Sequence, residues 1–480
     1  MALPPPALLN SMTALKAFGT AVRVTSDNVA NANNEDYNKR KAKFETRQYG
    51  GVNVAYIERV ANLGLTKDLR NAVSLAVRDE TTAQYYSRIE ELVGTVSSTT
   101  ALADKMEAFI SAYKAFEAAP ESGAAEREVV LAGQLLVSEM HRVSNGIEQI
   151  DRNVKDDIIV TVTELNRLLN EIHELNQKIV TEEAIGRPTA GLENTRDGKL
   201  ADLSEIMEIK TFERADGSIT VYSSSAIDLV DAVAVQFTWN ETLQTLVKSG
   251  TTTDYADDIS NGRLRAQMDF IRTDAASVTS TEPRLAPVQK LRDQLDGLAQ
   301  LLADNSANSF HDAYSGGAAP GLFLGVAPYT ADWDQLFFQP LDVVNDTPAD
   351  IDRFNIQIRP ALVDGTANVP TATANAVILQ LDANSRNLTA GAITLTNETY
   401  AGVASAILAR LVSNSGVVAR DSALESTIRD DLKVALDSEV RVDIDEEMAI
   451  LSMLQNSYGA NARVVNAINE LFEELTQVIR

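Results

Sequence analysis

Residues able to do chemistry are sparse in this 480-residue chain: it has three histidines, His141, His173 and His311, and no cysteine. The histidines follow neither an HExxH pattern nor another ligand spacing, so they read as satisfied or solvent-facing side chains on helices. The absence of cysteine excludes disulfides, thiol catalysis and cysteine metal sites. Adjacent acids, Glu90-Glu91 and Glu446-Glu447, point about 100° apart on a helix, too divergent for a paired-carboxylate acid–base site. The loop TTTDYADDISNG offers Asp254, Asp257 and Asp258 to a cation. It lacks the alternate-residue spacing and closing glutamate of an EF-hand loop. Sequons at Asn240, Asn387 and Asn397 are of a kind frequent by chance. No nucleophile, base and orienting group can be named together, so no catalytic, cofactor-binding or metal site, and no enzyme, is expected.

The elements that would have to position any site are more informative. The length suggests about two to four domains. The 45% hydrophobic content suffices for cores, and 68 acidic against 42 basic residues give a formal charge of −26. That charge repels phosphates and anionic lipid heads, so neither a nucleic-acid nor a membrane role is expected. No stretch approaches the roughly 18 to 20 apolar residues of a membrane span, and MALPPPALLN lacks the charged and apolar regions of a secretion signal.

Behind Pro4-Pro5-Pro6, apolar residues recur at Leu8, Met12, Leu15, Phe18, Val22 and Val29, with Thr25 filling the gap: one helix stripe. The run SDNVANANNEDYNKR follows, whose Asn31, Asn33 and Asn34 terminate a helix well. Helix returns from about Leu75, with a seam at Leu102, Met106, Phe109, Tyr113 and Phe116. A proline-free segment from Ala124 to Ala184 then carries Met140 through Ile179 on one seam, a rod of roughly 90 Å. IKTFERADGSITVY and VAVQFTWNETLQTLV read as hairpins, and APVQKLRDQLDGLAQLLADN as a helix. Residues 320 to 398, with FNIQIR and AVILQLD, read as a β-rich insert, and helix resumes from Tyr400 to Val440. The last helix steps through Ile444, Met448, Leu451, Leu454, Tyr458, Ala462, Val465, Ile468, Phe472, Leu475 and Ile479, a period of about 3.5. Asp443 or Asp445 is its N-cap, with Glu446 and Glu447 favoured by the helix dipole. The bland reading of both heptads is an intramolecular helix pair.

Ser26-Asp27-Asn28-Val29-Ala30-Asn31-Ala32-Asn33 followed by Tyr37 is similar to the N-terminal motif of bacterial flagellar axial proteins. Asp445-Glu446-Glu447, Leu451, Gln455, Tyr458 and Ala462-Arg463-Val464 resemble the C-terminal motif of the same proteins. Where those proteins have Thr-Pro-Gly before the tyrosine, this chain has Asn34-Glu35-Asp36. The long central helices, NTRDGKLADLSEIMEIKTFERADGSITVYSSSAIDLVD and LDGLAQLLADNSANSFHDA resemble the hook-associated junction family within that group.

The resemblance implies an α+β, multidomain fold: terminal coiled-coil helices forming an inner tube, a long α-helical bundle rod, and β-rich outer domains. The expected division is 1–40 with 443–480 as the terminal unit and 41–74 as a linking segment. Residues 75–208, about 282–315 and 399–442 form the rod, 209–281 a β-hairpin part, and 316–398 an outer insert. The implied assembly interface comprises Leu8, Met12, Leu15, Val22, Val29, Asn31, Asn33, Tyr37, Ile444, Met448, Leu451, Gln455, Tyr458, Arg463, Val465, Ile468, Phe472 and Leu475. Arg463 is either a surface charge or the partner of an acid on another subunit. Implied partners are further copies of the chain, the hook protein, the second hook-associated junction protein and a flagellar export chaperone. The implied location is the extracellular hook–filament junction, reached by type III export without a cleaved signal peptide. Alternatives are a rod or hook protein, or a flagellum-associated enzyme.

Overall fold

A computed structural model describes residues 6–34, 37–48, 50–94, 101–272, 286–303, 337–341 and 351–478. The chain starts with helix α1 (Pro6–Ala30) and a hairpin, β1 (Arg40–Thr46) and β2 (Val52–Arg59). Helices α2 (Leu63–Val93), α3 (Leu102–Ala118), α4 (Gly123–Ala184) and α5 (Ala190–Ile206) follow. Strands β3 (Ile209–Glu213), β4 (Ile219–Ser223) and β5 (Asp228–Val230) form one antiparallel sheet, β6 (Phe237–Asn240) and β7 (Thr245–Lys248) another. Next come α6 (Arg263–Ile271), α7 (Pro287–Ala303), the pair β8 (Phe338–Pro340) and β9 (Ile356–Ile358), α8 (Pro360–Val363), α9 (Ala374–Leu381) and the pair β10 (Arg386–Ala390) and β11 (Ile393–Glu398). Helices α10 (Tyr400–Val440) and α11 (Ile444–Val478) close the chain. The fold is α+β and multidomain in the sense expected: long helices with small antiparallel sheets on them.

The rod is built on α4, whose 62 residues span about 93 Å at 1.5 Å each. Ser122 caps it by accepting from the Ala125 N–H at 3.3 Å. Such a helix needs lengthwise packing, because propensity alone leaves its apolar stripe in water. Its seam from Val129 to Ile179 is buried against α2, α3, α5, α6 and α7. The seam of α3, Leu102 to Phe116, is buried with it. One expected seam residue differs: Leu175 is half-buried and Asn176 takes the interior place. The Asn176 amide donates to the Ile219 carbonyl at 2.7 Å and accepts from the Ile219 N–H at 3.1 Å, docking β4 on the rod. Asn166 holds Phe237 of β6 in the same way, both bonds at 2.8 Å.

Three features depart from the sequence reading. The segment 41–74 holds most of the first hairpin and the start of α2, which begins at Leu63 with Asn62 as its cap. Its early buried positions, Ala72, Ser74 and Ala76, are small, so they add little apolar periodicity. AVILQLD lies in α9, because Ala374, Val377 and Leu381 are the buried set and their spacing is helical, not alternating. The described part of the insert is no outer appendage either. Phe337, Phe338, Ile356, Val377, Leu381 and Leu388 belong to the same core as α3, α4 and α7. Gly133 of α4 gives this docking room: a Cβ there would stand 2.9 Å from the Phe337 ring.

Within 400–474, one 18-residue window is apolar enough by composition to cross a membrane, against the sequence expectation, and 33% of it is buried here. Val403, Ala404, Ile407, Leu408 and Leu411 of α10 form part of the rod core.

Candidate assembly interface at the chain ends

The two chain ends meet as a helix pair. Lys39, just beyond α1, donates its N–H to the Val440 carbonyl at 2.9 Å, and its Nζ lies 3.6 Å from Glu446. The C-terminal end of α1 therefore sits beside the start of α11, and the helices run antiparallel. Asp443 is the N-cap of α11, its carboxylate accepting from the N–H groups of Asp445 at 2.9 Å and Glu446 at 3.2 Å. Glu447 faces inward and is buried.

Helix α1 is covered from two sides, by α11 and by the hairpin. Its fully buried face is Ser11, Ala14, Ala17, Ala21, Val24, Thr25 and Asn28. The expected stripe, Leu8, Leu15, Val22 and Val29, is half-buried beside it, and Met12 is 56% exposed. Small residues occupy the closest approach. At the hairpin turn Gly51 has φ +88°, and a Cβ there would lie 2.3 Å from Thr13 Oγ1. Phe44 of β1 packs edge-on against Phe18, centroids 5.8 Å apart.

The asparagine run is a turn held by a buried clasp. Asn31 donates its amide to the Asp27 carbonyl at 2.8 Å, closing α1. Asn34, the first of the three altered motif positions, donates its N–H to Asn31 and accepts from Tyr37; the other two, residues 35 and 36, lie outside the described residues. Asn28 is fully buried. Its Oδ1 accepts from the Tyr37 hydroxyl at 2.8 Å and from the Arg40 N–H at 3.0 Å, and its Nδ2 donates to the Arg40 carbonyl at 2.9 Å. The Arg40 guanidinium covers the Tyr37 ring at 5.1 Å. Burial raises the Tyr37 pKa, the nearby Arg40 charge opposing it, so the phenol stays a donor. Asn28 stands in the quoted motif but not among the residues singled out from it. Its signal was a polar side chain continuing the line of Ala21, Val24 and Thr25. Asn33, which was singled out, is exposed and lines a cleft of about 830 Å³ with Lys39, Arg441 and Asp443.

The joint to the rod is polar. Arg59 donates to Asn194 at 3.0 Å and Asp197 at 2.6 Å, Arg70 shares Asp197 at 3.2 Å, and Asn62 donates to Glu439 at 2.8 Å. Desolvation lowers the Arg70 pKa, with Asp197 opposing it.

On α11 the expected stripe is unevenly covered. Leu454 is buried, Leu451, Val465 and Ile468 are half-buried, and Ile444, Met448, Gln455, Tyr458, Arg463 and Phe472 are exposed. Leu475 lies in the helix, its side chain outside the described residues.

The residues considered for chemistry are not gathered. His141 and His173 lie on α4 about 48 Å apart along its axis, and His311 is outside the described residues. Asp254 binds its own loop through the N–H groups of Leu246 and Ala256 and accepts from Arg272 at 2.8 Å. Asp257 pairs with Arg272 at 3.1 Å. Among the described residues no group of three His, Asp or Glu is placed to hold a metal ion.

Residues 86–315 match the model of the flagellar hook-associated protein FlgK helical domain, and 440–478 that of the flagellar basal body rod FlgEFG protein C-terminal region. The chain is similar to flagellar hook-associated protein 1 of Bacillus subtilis, 24% identical over 45% of this chain and 46% of that one. It is also similar to that of Escherichia coli, 22% identical over 46% and 42%. The matched region thus spans less than half the length of these relatives. The flagellar hook junction protein FlgK from Burkholderia pseudomallei aligns over 52% of this chain and 44% of its own, at 17% identity and a TM-score of 0.42. The chain thus carries a FlgK-type helical domain over just under half of its length and, separately, a flagellar rod-type C-terminal segment, and it resembles flagellar hook-associated proteins over the region shared with them.

Proposed function

We propose that the chain is a non-enzymatic structural adaptor that joins the flagellar hook to the filament, assembling through α1 and α11. One observation carries this reading. The two ends of the chain form a helix pair whose apolar side chains, Met12, Met448 and Tyr458 among them, are left exposed, as expected of a unit completed by neighbouring subunits. In this reading residues 1–40 with 443–480 pack into an inner tube and the helical bundle stands outside it. Leu8, Leu15, Val22, Val29, Leu451, Val465, Ile468, Phe472 and Leu475 close the packing, and Arg463 meets an acid of a neighbouring subunit. Copies of the chain, the hook protein and the second hook-associated protein are its partners. An export chaperone holds the chain before type III export to the extracellular junction.

Deleting the gene in the source bacterium tests the reading. Hooks that lack filaments are expected in electron micrographs, with filaments restored by the full chain and not by a chain lacking 443–478. The second reading, a rod or hook protein, is favoured by the rod-type match at 440–478. It requires that the deletion leave no complete hook.

A further inference from the structure

Helix α11 carries a second seam that α1 does not cover. Ala449, Met453, Ala460, Val464, Ala467 and Leu471 recur at steps of 4, 7, 4, 3 and 4, so they share one helix face. All six are exposed, Met453 by 61%, Val464 by 45% and Leu471 by 63%. At 3.6 residues per turn this face points well away from buried Glu447 and Leu454, which mark the side turned to α1. Glu470 and Glu474 run along its edge, both exposed.

Helix α1 has an outward face of opposite character. Leu9, Met12, Lys16, Gly19 and Arg23 recur at steps of 3, 4, 3 and 4 and are all exposed. Its charges are Lys16 and Arg23. Among the described residues neither cation, and neither Glu470 nor Glu474, takes part in an ion pair.

We infer that the seam Met453–Val464–Leu471 is the docking face for the outward face of α1 from a second copy of this chain. Apolar Leu9 and Met12 meet the seam, while Lys16 and Arg23 meet the acids along its edge. Gly19 and the three alanines permit close approach of the helix axes, whose separation depends on the side chains at the contact. Two different surfaces are joined, so the contact is heterologous. Repeated from copy to copy it builds a ring or a helix, not a closed pair. The inference rests on the assembly reading above and deepens it by naming the faces.

Because the chain has no cysteine, Met12→Cys and Val464→Cys can be introduced together as the only thiols. Assembled hooks carrying both are treated with a short bis-maleimide and run on a denaturing gel. A ladder of multiples of the chain mass is expected from the double variant and from neither single one. Assembled particles without a ladder, or a two-chain species from Val464→Cys alone, would overturn the proposal. Should the cysteine variants not assemble, charge reversal decides. Lys16→Glu with Arg23→Glu should abolish filaments, and adding Glu470→Lys with Glu474→Lys should restore them; failure to restore overturns the pairing. If the seam fails these tests while loss of 443–478 still abolishes filaments, only the seam is wrong. Filaments on cells whose chain lacks 443–478 would end the assembly reading and the seam with it.

Discussion

Asn28 holds both backbone groups of Arg40, accepting from its N–H at 3.0 Å and donating to its carbonyl at 2.9 Å, with no solvent exposure of its own. A side-chain amide here imitates a strand neighbour, so β1 is registered against α1 by one residue.

Replacing Asn28 by alanine strands the Arg40 N–H and C=O and the Tyr37 hydroxyl, at about 1–3 kcal/mol for each group left buried and unpaired. Asn28→Asp should be intermediate, since a carboxylate accepts from Tyr37 and Arg40 but cannot donate to the Arg40 carbonyl. Asn33→Ala, at an exposed position, should change stability by no more than about 0.5 kcal/mol. Chemical denaturation of the three variants checks this; equal losses for Asn28→Ala and Asn33→Ala would remove the clasp from the account.

Glu148 of α4 ties the insert to the rod. It accepts from Arg292 at 2.8 and 2.7 Å and from Arg353 at 3.0 Å, and Arg353 also reaches Asp296 at 2.6 Å. Burial pushes the Glu148 carboxyl up, but the two guanidiniums outweigh it and hold the pKa below the ordinary 4.5. The unfolded chain therefore binds the proton more readily. The stabilisation is fully present above pH 4.5 and is lost as pH falls through the folded value. The stability gap between wild type and Glu148→Gln should be flat at neutral pH and close in acid. A gap that widened in acid would contradict the assignment.

The insert offers a second comparison. Phe338 is fully buried, with its ring 5.5 Å from Phe109. Phe338→Ala should cost about 3–5 kcal/mol, and a Gly/Ser linker in place of 337–398 should leave the chain unable to fold cooperatively. A truncated chain that melted like the intact one would show that the segment is an appendage after all.

Legibility in the sequence followed the strength of the periodicity. Helices α3, α4 and α7 repeat large apolar residues for several turns, and their buried seams could be read directly. The start of α2 could not, because Ala72, Ser74 and Ala76 bury little apolar surface. The strand at 356–358 was legible as an alternating run, whereas α9 was misread because eight residues are too few to separate the two periods. At the chain ends the helices and the turn were visible, but not which face of α1 is most buried. That depends on the hairpin, a tertiary partner with no trace in the helix's own spacing. Asn28, Asn166 and Asn176 share this limit: their polarity reads as surface until the strand each one holds is in place.

The main packing partner of α11 is α1, and most of the described α11 side chains are exposed, whereas α4 buries a continuous seam from Val129 to Ile179. A helix with one partner and a bare apolar face gains little from packing, and packing supplies most helix stability. Amide hydrogens in α1 and α11 of the isolated chain should therefore exchange far faster than those of α4, and protease should trim both ends first. Assembly should protect both ends together, since each completes the other's packing. The clasp sets a limit to the fraying: amides near Asn28, Tyr37 and Arg40 should exchange more slowly than those around Leu9 and Met12. Ends as protected as α4 in the isolated chain would mean that the helix pair is complete by itself, with no coupling between folding and assembly.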